Sequence, residues 1–108
     1  MSEITIAAIQ NLCRKKHIQW TNHVVVRLLQ RGIPQRDVEK ALMTGKIIEA
    51  YPTDYPYPSC LVLGTTNTDR QLHVVCGIGN ERVWIVTAYY PGLDKWNSEY
   101  ALRKGGSQ

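Results

Sequence analysis

Apolar side chains return every three or four residues along the first 45 positions of the chain and every second residue from Lys46 onward. Helix faces repeat at 3.6 residues and strand faces at 2, so this change of period separates a helical half from a sheet half. In the helical half, Ile4, Ile6, Ala7, Ala8, Ile9 and Leu12 predict a first helix. Arg14, Lys15 and Lys16 close it with cations that suit the negative end of the helix dipole. His17 to Trp20 reads as a short extended link. Thr21 or Asn22 can then accept from the open amides of a second helix, about His23 to Gln30, and Gly32 can take the positive φ that ends it. Val24 to Val26 have modest helix propensity, but Leu28 and Leu29 complete an apolar face that packing can hold. Ile33 and Val38 flank Pro34 with the spacing of a hydrophobic staple. Asp37 falls in the positive first turn of a third helix, which turns Val38, Ala41 and Leu42 to the core and stops at Gly45.

The sheet half divides into four strands: Lys46 to Tyr51, Ser59 to Thr65, Gln71 to Gly77 and Arg82 to Tyr89. Between the first two, Pro52 to Pro58 is a loop, because its three prolines cannot donate to a ladder. Asn67, Thr68 and Asp69 supply one turn and Gly79-Asn80 another. Four sequential strands with short turns favour an antiparallel meander, and helices segregated from strands favour an α+β fold. The expected architecture is thus N-terminal helices packed on a four-stranded antiparallel sheet. Leu93 to Leu102 reads as a short helix or edge segment. A single domain is expected over 1–104, with 105–108 as a disordered tail.

Composition narrows the class. A chain of 108 residues, 44% hydrophobic, can remove roughly two thirds of its unfolded surface from water without disulfide or metal. Cys13, Cys60 and Cys76 form an odd set without repeated spacing, and Met1-Ser2-Glu3 is too polar for a signal peptide. Both point to a reducing cytoplasm. No apolar run approaches the ~20 residues of a membrane helix. The net charge of +4 is uneven: residues 1–50 carry eight Lys and Arg against four acids, and residues 51–108 carry five of each. A basic helical half suits a polyanion such as RNA, and an ordinary solvated surface has the same count.

Candidate chemistry lies mostly in the last two strands. Alternation puts Leu72, Val74 and Cys76 on one face of the third strand and His73 on the other. The more economical facing sets Leu72, Val74 and Cys76 with Trp84, Val86 and Ala88 against the helices, leaving His73, Thr87 and Tyr89 on an open face. An imidazole beside a hydroxyl and a phenol is suited to proton transfer near neutrality. The same histidine could instead fix the sheet by hydrogen bonds to its neighbours. On the second helix His23, Arg27 and Arg31 recur at i, i+4 and i+8 and form one stripe. Guanidinium groups offer paired donors to phosphate, and the stripe also fits solvated or capping side chains.

Other constellations are weak. His73 and Cys76 point to opposite faces of a strand, His17 and His23 have no paired Cys-x-x-Cys, and no acidic cluster suggests magnesium, so no metal or cofactor is expected. The three cysteines read as small core residues. Tyr51, Tyr55 and Tyr57 in the proline loop could stack exposed bases or pack the loop onto the sheet end. Trp96 reads as an anchor for the C-terminal segment.

Five blocks in order, HVVVRLLQRGI, DVEKALMTGKIIEAYP, YPSCLVLG, LHVV and VTAYYPGLDKW, closely resemble the small bacterial domain-of-unknown-function family 4258 over about Thr21 to Arg103. Pro34 stands where members usually have serine. This family is similar to the metal-independent ribonuclease toxins of toxin-antitoxin systems, with helices before a four-stranded antiparallel sheet and, in some members, a neighbouring zinc-finger antitoxin. The resemblance implies an mRNA-cleaving toxin. The family pattern marks His23, Arg27, Arg31, His73, Thr87 and Tyr89, with Tyr51, Ser59 and Trp96 as further motif positions; for a ribonuclease the expected catalytic set is His23, Arg27, His73, Thr87 and Tyr89, and the expected substrate contacts are Arg31, Tyr51 and Lys46. The implied partners are RNA, including ribosome-associated mRNA, and an antitoxin protein, for a monomer or small homo-oligomer away from membranes. The alternative is a non-catalytic module that binds nucleic acid or protein.

Overall fold

The structure is a computed structural model that describes residues 4–92. Each helix begins or ends on a local device that the sequence supplies. The Thr5 hydroxyl accepts from Ala8 N at 3.1 Å and starts α1 (Ile6–Arg14). Thr21 does the same for α2 (Asn22–Arg31), accepting from Val24 N at 3.2 Å, and Gly32 ends that helix in the left-handed conformation at φ 67°. Ahead of α3 (Gln35–Thr44), Ile33 and Val38 are both buried on either side of Pro34, as the staple spacing predicts. Asp37 lies in the first turn of α3, as expected, and its carboxylate accepts from Asn67 Nδ2 at 3.0 Å, tying α3 to the turn after Thr66. Gln10 of α1 donates to the carbonyls of Leu42 and Met43 and so meets otherwise open acceptors at the end of α3.

The sheet has five strands where four were expected. The link after α1 contains β1 (Ile18–Trp20), followed by β2 (Lys46–Tyr51), β3 (Ser59–Thr65), β4 (Gln71–Gly79) and β5 (Arg82–Tyr89). Their order is β1-β5-β4-β3-β2; β1 lies parallel to β5 and the other pairs are antiparallel. The fold is therefore α+β, with three helices on a mixed sheet that does not close into a barrel. Three residues are too few to show alternation, and a parallel partner more than sixty positions away leaves no local trace; hence the missed strand.

The β4–β5 turn is also displaced from expectation. Gly79 pairs with Arg82, so Asn80 (φ 58°) and Glu81 (φ 63°) are its central residues. Positive φ at both is the type I′ geometry, whose twist matches the flanking strands.

The facing of β5 differs from expectation as well. Val75 pairs with Thr87 but Cys76 pairs with Ile85, so Val86 is an extra residue in β5. This bulge changes the phase of the strand. Val83 and Ile85 join Ala88, Val74 and Cys76 under the helices, while Trp84 turns away and Val86 is 51% exposed. Trp84 and Val86 are thus not core residues as expected, because alternation does not survive a bulge. A second bulge, at Ile48 in β2, leaves Lys46, Glu49 and Tyr51 opposite Leu63, Leu61 and Ser59.

The helices rest on the sheet at two glycines. A Cβ at Gly64 of β3 would lie 1.9 Å from the Ala41 carbonyl oxygen, and one at Gly45 would lie 2.5 Å from the same atom. α3 can therefore approach β3 to backbone contact only because both positions lack side chains. Gly32 differs: nothing stands within 4 Å of its Cβ direction, and only its positive φ requires glycine. No helix among the described residues is long and apolar enough to cross a membrane. The expected segment at 93–102, Trp96 and the tail at 105–108 lie outside the described residues.

Gly64 and Gly32 predict different costs. Gly64→Ala should lower the unfolding free energy by about 3 kcal/mol through overpacking, and Gly32→Ala by about 1 kcal/mol through backbone strain alone. Urea unfolding of both variants measures the order, and a larger loss at Gly32 would contradict it.

Candidate functional site

Register builds the sheet face away from the helices as three rows. Lys46, Leu63, His73 and Tyr89 form the first, Glu49, Leu61, Val75 and Thr87 the second, and Tyr51, Ser59, Gly77 and Trp84 the third. His73, Thr87 and Tyr89 do share one face, as expected. That face is closed where His73 lies: His73 and Leu61 are 0% exposed and Leu63 is buried. His73 Nδ1 is 3.4 Å from the Tyr89 hydroxyl, with the two rings edge-on at 5.3 Å and 71°. A side chain this enclosed cannot meet a polymer directly. Its reach is through Tyr89, which is half-buried.

The basic stripe of α2 lies along the β5 edge. Arg31 Nη1 donates to Thr87 Oγ1 at 3.0 Å and to the Ala88 carbonyl at 2.8 Å. The ladder from β1 ends at Ile85, so the guanidinium takes over an edge carbonyl beyond that ladder. Arg31 thereby fixes the helix end to the strand, and Thr87 is oriented by it. Arg27 and His23, one and two turns earlier, are exposed. Helix and sheet thus bring Arg31 to Thr87 and His73 to Tyr89. Lys46 is exposed on β2, the opposite edge strand, three strand spacings or about 14 Å across the sheet from β5. It is not grouped with the stripe.

The third row meets the proline loop. Tyr51 Oη donates to Glu49 Oε1 at 2.5 Å, and buried Ser59 donates to Asp54 Oδ2. Tyr57 packs against Trp84, ring centroids 5.6 Å apart, and Trp84 Nε1 donates to the Gly79 carbonyl at 2.7 Å. The loop does pack onto the sheet end through Tyr57, while Tyr55 stays 94% exposed. Between loop, strand and helix start lies a pocket of about 410 Å³, lined by Thr21, Asp54, Tyr55, Tyr57, Ser59 and Trp84 among others. Asp54, Glu49 and the pocket role of Trp84 are not among the features that the sequence singles out. Glu49 was legible as a charge inside an apolar strand; Asp54 was one polar residue in a loop expected to be polar.

The cysteines offer no accessible nucleophile. Burial pushes the Cys13 thiol up to about 11. Cys60 and Cys76 face one another across β3 and β4, at 1% and 0% exposure. The hydrogen bond between them raises Cys76 well above the usual thiol range and lowers Cys60. Among the described residues no group of three or more His, Cys, Asp or Glu is placed to hold a metal ion.

Comparison with known proteins adds one match. Residues 20–90 match the model of a family described as Domain of unknown function (DUF4258). No curated protein and no solved structure matches the chain.

The two arginines of the stripe should separate in stability. Arg31→Ala removes two hydrogen bonds from a charged donor and should lower the unfolding free energy by about 1–2 kcal/mol, whereas Arg27→Ala should stay within about 0.5 kcal/mol of the parent. Paired denaturant curves check this, and equal midpoints for the two variants would remove the structural role assigned to Arg31.

Proposed function

We propose that this chain, which belongs to the DUF4258 family, is a metal-independent endoribonuclease of the toxin type that acts on single-stranded RNA. The observation carrying this reading is the stripe of α2: Arg31 is anchored to Thr87, and exposed Arg27 and His23 continue from it toward the pocket at Thr21. A strand lying along this edge sets its phosphates against guanidinium groups and its bases toward the aromatic loop.

Cleavage without metal needs a base for the ribose 2′-hydroxyl, cations for charge developing on phosphate, and an acid for the leaving 5′-oxygen. In this proposal exposed His23 transfers one proton and Arg27 stabilises the phosphate. The Tyr89 phenol is the second proton-transfer group. His73 acts through Tyr89 as a positioning residue, since it is 0% exposed and 3.4 Å from the phenol oxygen. Arg31 and Thr87 set the edge along which the strand lies. An antitoxin protein covering the stripe is the partner this reading implies.

The burial of His73 also favours a second reading, in which the same surface binds RNA without cutting it. One experiment separates the two. Purified protein incubated with single-stranded RNA in EDTA should yield fragments, and His23→Ala and Arg27→Ala should each lower the rate by about 100-fold or more, with Lys46→Ala nearly unchanged. Intact RNA, bound in a salt-dependent way that weakens with Arg27→Ala, would establish the binding reading instead. Neither cleavage nor binding would end both.

A further inference from the structure

We infer that the pocket beneath the proline loop is a guanine-binding site; this deepens the RNA reading above and rests on it. Its volume of about 410 Å³ lies toward the small end of ligand cavities, a size suited to a single nucleoside. One wall is aromatic and held in place. Trp84 is fixed by its bond to the Gly79 carbonyl, and the Tyr57 ring occupies the space where any Cβ at Gly79 would stand, 2.3 Å from its Cδ1. Tyr55 stands on the rim almost wholly in solvent, positioned for a base to stack against it.

The polar group of the pocket selects among the bases. Ser59, itself 4% exposed, donates to Asp54 Oδ2, which orients the exposed carboxylate and leaves Oδ1 and a second lone pair of Oδ2 to accept. A carboxylate is acceptor only, so it pairs with a base edge that presents donors side by side. Guanine presents N1–H and N2–H₂ together. Adenine and cytosine each pair an amino group with a ring nitrogen that accepts, and uracil flanks its one N–H with two carbonyls. Each of those edges sets at least one acceptor against the carboxylate, and like polarity there is unfavourable. Thr21 lines the pocket and caps α2, so a nucleotide seated by its base has the start of the basic stripe within its surroundings.

The test uses the whole chain and the four nucleoside 5′-monophosphates, which share phosphate and sugar and differ only in base. Isothermal titration should show GMP binding at least tenfold more tightly than AMP, CMP or UMP. Asp54→Asn should remove that preference, and Tyr55→Ala, at a 94% exposed position, should weaken GMP with the fold intact. Equal affinity for the four, no binding of GMP at about 1 mM, or an unchanged preference in Asp54→Asn would overturn the site. If Asp54→Asn does not fold, the discrimination by the parent chain and the Tyr55→Ala loss still decide. RNA cleavage measured alongside keeps the two readings apart: GMP selectivity with intact RNA supports the pocket and removes the nuclease, and cleavage without GMP selectivity does the reverse.

Discussion

The extra residue at Val86 determines what each half of β5 can do. An unbroken strand would place Val83, Ile85, Thr87 and Tyr89 on one face, and either the core or the candidate site would lose half of them. With the bulge, Val83, Ile85 and Ala88 all pack under the helices while Trp84, Thr87 and Tyr89 all face the other way. A single eight-residue strand therefore contributes to the core, to the wall of the pocket and to the groups bound by Arg31 and His73. Bulges recur beside functional sites because they re-aim side chains without ending the ladder. Here the cost is local: Val86 is left half in water, and the strand edge is met by α2 in place of β1.

Burial divides the far face of the sheet into a closed centre and two accessible margins. Leu61, Leu63 and His73 are buried there, outside the cluster formed with the helices. Chemistry that touches a polymer must then lie at the margins: the α2 stripe along β5, or the pocket at the loop end. Among the described residues His73 meets the half-buried Tyr89 phenol, and this contact lets a buried polar group in an apolar hairpin bear on the surface. Arg31 has the corresponding position at the edge. It holds Thr87 and an edge carbonyl, so the stripe it belongs to keeps a defined line against the sheet.

Much of this architecture was legible because it depends on local devices. The Thr21 cap, the left-handed Gly32, the staple across Pro34 and the limits of β2, β3 and β5 each follow from a few neighbouring residues. What escaped depends on pairing between distant segments. β1 exists because Val83 can accept a parallel neighbour, beginning with its amide on the His17 carbonyl at 2.9 Å. The Val86 bulge is decided by what stands opposite it in β4, and the turn at Asn80–Glu81 by how far the ladder continues past Gly77. The site divides in the same way. The i, i+4, i+8 spacing identified the stripe, but the attachment of Arg31 to Thr87, 56 positions later, needed the fold. Asp54 gained meaning only when Ser59 and Trp84 were brought around it.

A carboxylate in the proposed guanine pocket needs an electrostatic reason, since it would repel the phosphates of an RNA strand. At physiological ionic strength exposed charges are screened over about 8 Å, so the repulsion matters only for phosphates close to the pocket. In the proposed complex those phosphates would lie nearest the start of α2, which carries Arg27, and the helix N-terminus adds its own partial positive charge. On the proposed reading the Arg27 guanidinium offsets the carboxylate for the polymer as a whole, and the carboxylate distinguishes bases at the point of contact. Affinity and selectivity can then reside on adjacent but separate elements, the helix and the loop, with β5 holding the two in register.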